Sequence, residues 1–196
     1  MDKERRALFP FFRDIKDKTV VVTGTGKEAE SKCEKLAPYG AKIVRMTEHD
    51  WGDITELAPL CVIVAGKDRE MNRKIALWCR VNQILVNTVD DPEYCDFVFP
   101  SLIARGNLSV GICTGGASPS AGVLLKQKIE EQIPEHMEEI LDWLQAVRPV
   151  ITETLTDKKQ RFSFYHQLAE QCMTMDRPLT DIEFSYMLAL EALKQV

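Results

Sequence analysis

The sequence predicts an α/β protein, with a parallel sheet in its first half and helices in its last part. Three observations carry this. Short apolar, β-branched runs alternate with stretches of helical spacing between Thr19 and Val86, the pattern of strands joined by helical crossovers. The first of these runs ends in a glycine turn, Gly24-Thr25-Gly26, directly ahead of a helical stretch. After Gly116 the pattern changes to helices.

Thr19-Val20-Val21-Val22 is a compact run of the kind found in strands buried on both faces. It delivers the chain to Gly24 through Ala29, and helical spacing continues to Leu36 before Pro38 and Gly40 break it. Ala41 to Val44 supplies a second strand. His49 to Pro59 has no clear period. Cys61 to Ala65 is the third strand and runs into Gly66-Lys67-Asp68, while Arg69 to Val81 sets Met71, Ile75, Leu77 and Trp78 at helical spacing. Ile84-Leu85-Val86 is the fourth. Phe97 to Ile103 and Leu108 to Cys113 are further β-rich runs, joined through Arg105-Gly106-Asn107. This pair either extends the sheet or forms a separate hairpin. Ser118 as N-cap and Pro119 at the first helical position open a helix containing Val123, Leu124, Leu125 and Ile129. Other helices are expected from Pro134, over Thr154 to Met175, and over Thr180 to Lys194. The division expected is a Rossmann-like domain at 1–112, a middle segment at 113–148, and a small helical C-terminal domain at 149–196.

Composition limits what such a fold does. The chain has 196 residues, 45% of them hydrophobic, and a formal charge of −5. That balance disfavours nonspecific binding to nucleic acid or an anionic membrane. No stretch reaches the ~20 apolar residues of a membrane span, and the charged Met1 to Arg6 is not a secretory signal. Six cysteines lie scattered without a C-x-x-C pair, which argues against a zinc site and suits reduced thiols in a cytoplasm. The lone histidines His49, His136 and His166 read as structural.

The glycine turn is the first candidate site. Strand, glycine turn and helix in that order are the setting for a G-x-G-x-x-G/A dinucleotide fingerprint, here Gly24, Thr25, Gly26, Lys27, Glu28 and Ala29. Glycines let the backbone approach a pyrophosphate, and the helix N-terminus favours its charge. The same glycines also serve a bare tight turn. Glu28 suits the helix dipole but sits near that phosphate. A conventional NAD site has an acid at the end of the second strand; the residues there are Arg45-Met46-Thr47-Glu48, where no acid falls cleanly in place. Arg45 suits a ribose phosphate or solvent. Ala65, Gly66 and Lys67 follow the third strand, and Lys67 suits either a ligand anion or a solvated loop.

The second candidate is the stretch from Asn87 to Pro119. Asp90 follows the fourth strand, at the sheet edge where cofactor and substrate meet in such folds. A second carboxylate beside it, Asp91, can tune such a group for proton transfer near neutrality. The plainer alternative is a turn ahead of Pro92, with one acid as a cap. Thr114 with the backbone of Gly115 and Gly116 offers donors to an acidic ligand.

N-x-V-D-D-P at 87–92 and F-x-x-P-S-x-I-x-R-G-x-L-x-V-x-I-x-T-G-G-x-S-P at 97–119 resemble the siroheme synthase family, and within it the precorrin-2 dehydrogenase module. The resemblance covers most of residues 8–150. It implies NAD-dependent oxidation of precorrin-2 to sirohydrochlorin in siroheme synthesis, with Asp90 as the catalytic aspartate. It also implies a homodimer, with 113–148 as the dimerisation and substrate segment, and, in some members, insertion of ferrous iron as a substrate without a resident metal. NAD is the cofactor implied, and the residues leave NADP open. The implied substrate is an octacarboxylate tetrapyrrole, so donors and cations should ring its cleft; Asn87, Arg105, Thr114, Gly115, Gly116, Ser118 and Lys126 are the candidates. The chain departs from the family at Glu28, an apolar position there, and at Val123, often an arginine. It is also shorter over 48–60, by about fifteen to twenty residues against ordinary linker lengths. Two alternatives stay open: a reduced member acting as chelatase or tetrapyrrole-binding subunit, and a non-catalytic dinucleotide-sensing module with no use for Asp90.

Overall fold

Four apolar runs form one parallel sheet. In the computed structural model, which describes residues 7–195, these are Thr19–Thr23 (β1), Lys42–Met46 (β2), Cys61–Val64 (β3) and Leu85–Thr88 (β4). They pair in the order β2-β1-β3-β4. Two helices cover them, Lys27–Leu36 (α1) and Arg69–Val81 (α2). Because successive side chains of a strand face opposite ways, β1 feeds both layers. Val20 and Val22 pack with Ile63 and with Ala29 and Leu36 of α1. Val21 packs with Val62, Val64 and Val86 and with Ile75, Ala76 and Cys79 of α2. All three valines are fully buried; at about 25 cal/mol per Å² of apolar area, each contributes on the order of 1.5–3 kcal/mol.

The short segment between β2 and β3 lacks a crossover α-helix. Trp51–Leu57 forms 3-10 turns instead. Ile54 within it is completely buried on the α2 face, and Trp51 meets Trp78 edge to face at 5.5 Å. Apolar anchors thus replace a longer crossover. From β1 the chain turns to β2 on one side and then crosses to β3 on the other. The reversal opens a crevice at the carboxyl ends of β1 and β3, where ligands of open α/β sheets bind.

The run expected as a strand from Phe97 is strand only from Ser101. Phe97 and Phe99 turn into the α1-side core with ring centroids 5.9 Å apart, and the Phe97 carbonyl accepts the Asn87 side-chain amide at 2.8 Å. With that carbonyl taken by a side chain and no N–H on Pro100, the strand begins only at Ser101. Ser101–Arg105 (β5) and Leu108–Ile112 (β6) pair antiparallel as a separate hairpin. The sequence reading left that choice open.

The compact units divide at Phe99 and Pro100, so the hairpin goes with the helices rather than with residues 1–99. That differs from the boundary expected at 112/113. The second unit adds Pro119–Glu130 (α3), Met137–Ala146 (α4), Arg148–Thr154 (α5), Lys158–Met175 (α6) and Asp181–Ala192 (α7). Ile140 of α4 shares one core with Ile151, Leu155, Phe164, Leu168, Cys172 and Leu188, so α4 is not set apart from the C-terminal helices as a 113–148 segment would require. The helix expected from Thr154 starts later, because Asp157 accepts the Gln160 N–H at 2.8 Å and caps α6 there. Thr180 and Glu183 form a reciprocal capping box on α7. No helix among the described residues is long and apolar enough to cross a membrane.

Candidate functional site

At the crevice the strand exits are stitched together. Gly24 N–H donates to Met46 O at 2.9 Å, Ala65 N–H to Thr23 O at 3.0 Å, and Val89 N–H to Val64 O at 2.9 Å. Gly24 has φ +103°, and a Cβ there would lie 2.4 Å from the Ala65 carbonyl oxygen. Only glycine fits. Gly26 differs: a Cβ there would meet only Lys67 Cε, at 3.9 Å. Gly26 is also the N-cap of α1 and brings no side chain to it, so the N–H groups of the first turn, from Lys27 to Ala29, stand open under the Lys67 stem. An open helix N-terminus, a close-packed glycine and a lysine overhead fit the diphosphate of a dinucleotide. Thr25 is exposed at the tip of this turn, and Ala29 is buried beneath it.

One acid was missed in the sequence. Glu48, two residues beyond β2, reaches back so that its Oε2 accepts the Lys67 N–H at 3.3 Å. A Cβ on Gly66 would strike that oxygen at 2.5 Å and Asn72 Oδ1 at 2.6 Å. The chain after β2 thus folds back over the β3 exit and sets Glu48 against Gly66 and Lys67. Asn72 donates to Gly66 O at 2.8 Å while its Oδ1 is buried without a partner. Arg45 is not brought to this turn. It lies on β2 paired with Val22, and its charge is felt by Cys33, well along α1 from the glycines.

After β4 the adjacent acids part company. Asp91 is buried, and its Oδ2 accepts Arg73 Nε of α2 at 2.9 Å. Asp90 is exposed and adopts the left-handed conformation, φ 59°. The turn is fixed from below: the Cys95 sulfur accepts Thr88 N–H at 3.2 Å and lies 3.1 Å from Thr88 O, and Arg69 donates to Asp90 O at 3.3 Å. Aspartate is among the residues that enter this region readily, and the angle turns the chain at the β4 exit. Asp90 opens into a cleft of about 300 Å³ that also takes in Glu28 and Lys32 of α1, Asp91, Val98 and Phe99. Glu28 thus faces the Asp90 cleft. Asn87 lines it too, but its amide is engaged by Phe97 O and by the Cys95 sulfur at 3.6 Å.

Lys32 was not singled out in the sequence. Its ammonium stands 4.5 Å from the centroid of the Phe99 ring. Burial first, and then the neighbouring Lys35, push its pKa down, while Glu28, Asp90 and Cys95 pull it back up. The i, i+4 spacing of Glu28 and Lys32 was visible; that this face of α1 looks at the β4 exit was not.

The second unit holds the remaining candidates. Thr114 Oγ1 donates to Ser118 O at 3.1 Å and lies 3.5 Å from Ser118 N–H, and Ser118 Oγ accepts Ala121 N–H at 3.2 Å as the N-cap of α3. Gly115 and Gly116 have φ of 63° and 83°. Arg105 donates to the carbonyls of Ile133 and Pro134 at 3.3 and 2.8 Å, tying β5 to the turn before α4. These side chains serve local structure. Lys126 is half-exposed on α3. Among the described residues no group of three or more His, Cys, Asp or Glu is arranged to hold a metal, and all six cysteines are free.

This arrangement is that of a Rossmann-like α/β domain. A family model described as "Putative NAD(P)-binding" matches residues 47–101, from the tail of β2 through the Asp90 turn. The chain is a homologue of the siroheme synthases over most of its own length. It is 30% identical over 186 residues to the siroheme synthase of Thioalkalivibrio sulfidiphilus, covering 85% of this chain and 38% of that protein. With the siroheme synthase of Blochmanniella floridana it shares 32% over 178 residues, covering 81% and 39%. The chain thus spans less than two fifths of these relatives' length. A solved structure titled "SirC, precorrin-2 dehydrogenase" has the same fold, with a TM-score of 0.69 at 19% identity, covering 94% of this chain and 98% of that one.

Proposed function

We propose that this chain oxidises precorrin-2 to sirohydrochlorin with a nicotinamide dinucleotide, as a step of siroheme biosynthesis. The observation that carries the reading is Asp90, an open carboxylate held at positive φ on the sheet edge that also bears the glycine turn. Relatives named siroheme synthase and a fold shared with a precorrin-2 dehydrogenase support it.

The oxidation removes a hydride and a proton from the macrocycle. Bound dinucleotide supplies the hydride acceptor. Gly24, Gly26 and the open N–H groups of Lys27 to Ala29 would receive its diphosphate, with Lys67 adding positive charge. Asp90 Oδ takes the proton as general base, a role that contributes about 10²–10⁴ in rate. Asp91 stays paired with Arg73 and anchors the turn rather than sharing that proton. Glu48 favours NAD over NADP, because a carboxylate at the ribose would oppose a 2′-phosphate. The cleft volume of about 300 Å³ is at the low end for ligand sites and suits one edge of a macrocycle.

The same Asp90 would strip pyrrole protons when ferrous iron enters as a substrate. A homodimer is supported by α3, whose Val123, Leu124 and Leu125 lie 51%, 59% and 46% exposed. Six free thiols suit a reducing cytoplasm.

The test is anaerobic precorrin-2 with NAD or NADP, followed by absorbance. Sirohydrochlorin and NADH are expected to appear in equal amounts, faster with NAD. A chain that binds neither dinucleotide but inserts iron into sirohydrochlorin would replace this reading with that of a chelatase.

A further inference from the structure

The cleft that holds Asp90 has an uneven charge. Its acidic lining residues are Glu28, Asp90 and Asp91, and its cation is Lys32. Asp91 is neutralised by Arg73, which leaves two carboxylates open to any anionic ligand. Lys32 is not used to balance them. Among the described residues no carboxylate comes within the 4.0 Å of an ion pair with its Nζ, and its ammonium has no hydrogen-bond acceptor; its close neighbour is the Phe99 ring at 4.5 Å.

An ammonium is strongly hydrated and carries three donors. Held half-buried over an aromatic face, the ammonium loses part of its hydration while its Nζ still reaches solvent, and the cation–π contact offsets that loss only in part. Its burial lowers its proton affinity, and the nearby acids work against that. An anion that enters the cleft can accept from this ammonium in place of water.

We infer that Lys32 is a specificity-determining residue of this cleft: it binds a carboxylate arm of the ligand and draws that edge of the molecule up to Asp90. The Phe99 ring holds the lysine stem in place, and Glu28, four residues earlier, keeps other anions at a distance. A ligand presenting one carboxylate to Lys32 while its ring edge meets Asp90 is accepted. The inference rests on the tetrapyrrole reading above, and the experiment separates the two.

Sirohydrochlorin is titrated anaerobically against the full chain, with binding followed by its visible absorbance, for wild type, Lys32→Met and Lys32→Arg. NAD affinity of each variant, read from tryptophan fluorescence, checks the fold. Lys32→Met keeps an apolar stem on Phe99 and removes the charge. It is expected to weaken sirohydrochlorin binding about tenfold to a hundredfold, as loss of a charge-assisted hydrogen bond does. NAD affinity should stay unchanged, and the salt dependence of tetrapyrrole binding should flatten. Lys32→Arg should recover most of the affinity. Equal binding by wild type and Lys32→Met overturns the inference. Tight binding that falls in Lys32→Met, with no oxidation of precorrin-2 by wild type, upholds it and removes the dehydrogenase reading instead. No binding by wild type overturns both.

Discussion

The loop after β1 and the loop after β6 both carry glycines at positive φ, Gly24 in the first and Gly115 and Gly116 in the second, but under different constraints. A Cβ on Gly24 would overlap the backbone of Ala65 and Gly66, whereas a Cβ on Gly115 or Gly116 would meet nothing within 4 Å. The first loop is fixed by a neighbouring strand exit and leaves its helix N-terminus open. The second is held by its own Thr114 and Ser118 hydroxyls, which are already engaged. Preorganised donors that face outward suit the binding of a charged ligand, whereas side chains already engaged locally serve the turn. The two glycine loops thus differ in what holds them, and that difference can be tested.

Gly24→Ala should break the contrast most severely. Forcing a Cβ into backbone at a φ of +103° combines overpacking with strain, about 3 kcal/mol or more. Chemical denaturation should show that loss, and NAD titration should show no binding. Glu48→Gln keeps an acceptor for Lys67 N–H but removes the charge. NAD affinity should fall about tenfold, the scale of one charged hydrogen bond, and the preference over NADP should narrow in paired titrations. Gly116→Ala, at φ 83° with open space around it, should cost only about 1–2 kcal/mol and leave NAD affinity intact.

The smallest effect expected is one of pH in the second unit. Arg177, then Thr180, hold the Glu183 carboxylate down to about 2, below its usual 4.5. A depressed carboxylate stabilises the folded state fully above about 4.5 and loses that contribution as pH falls toward 2. Glu183 is about one-third exposed, so screening keeps the effect modest. Helical signal in acid titrations should decline for wild type as pH falls from about 4.5 toward 2, and Glu183→Gln should flatten the slope in this window.

Much of the fold was legible because strand and helix periods are local. Val20 to Val22, Arg69 to Val81 and the Ser118-Pro119 start all carry their structure in adjacent residues. Phe97 to Pro100 was read as strand because aromatic residues favour strands, and tertiary burial of Phe97 and Phe99 overrode that preference. The site divided the same way. Gly24 and Asp90 stood out through motif and position. Glu48 and Lys32 did not, since Glu48 meets Lys67 N–H nineteen residues on and Lys32 meets the ring of Phe99. Arg105 was legible as a cation, but its tie to the carbonyls of Ile133 and Pro134 was not, since they lie far downstream.

The central claim is that the open acid at the β4 exit moves the proton while the glycine turn holds the cofactor. Asp90→Asn tests it cleanly, because asparagine tolerates the left-handed conformation that Asp90 adopts at φ 59°. Wild type and variant are loaded with NAD, mixed anaerobically with precorrin-2, and followed in a single turnover by NADH absorbance. Equal NAD affinity, with NADH formation slower by about a hundredfold or more in the variant, is the result predicted. NADH forming at the same rate in both proteins would contradict it.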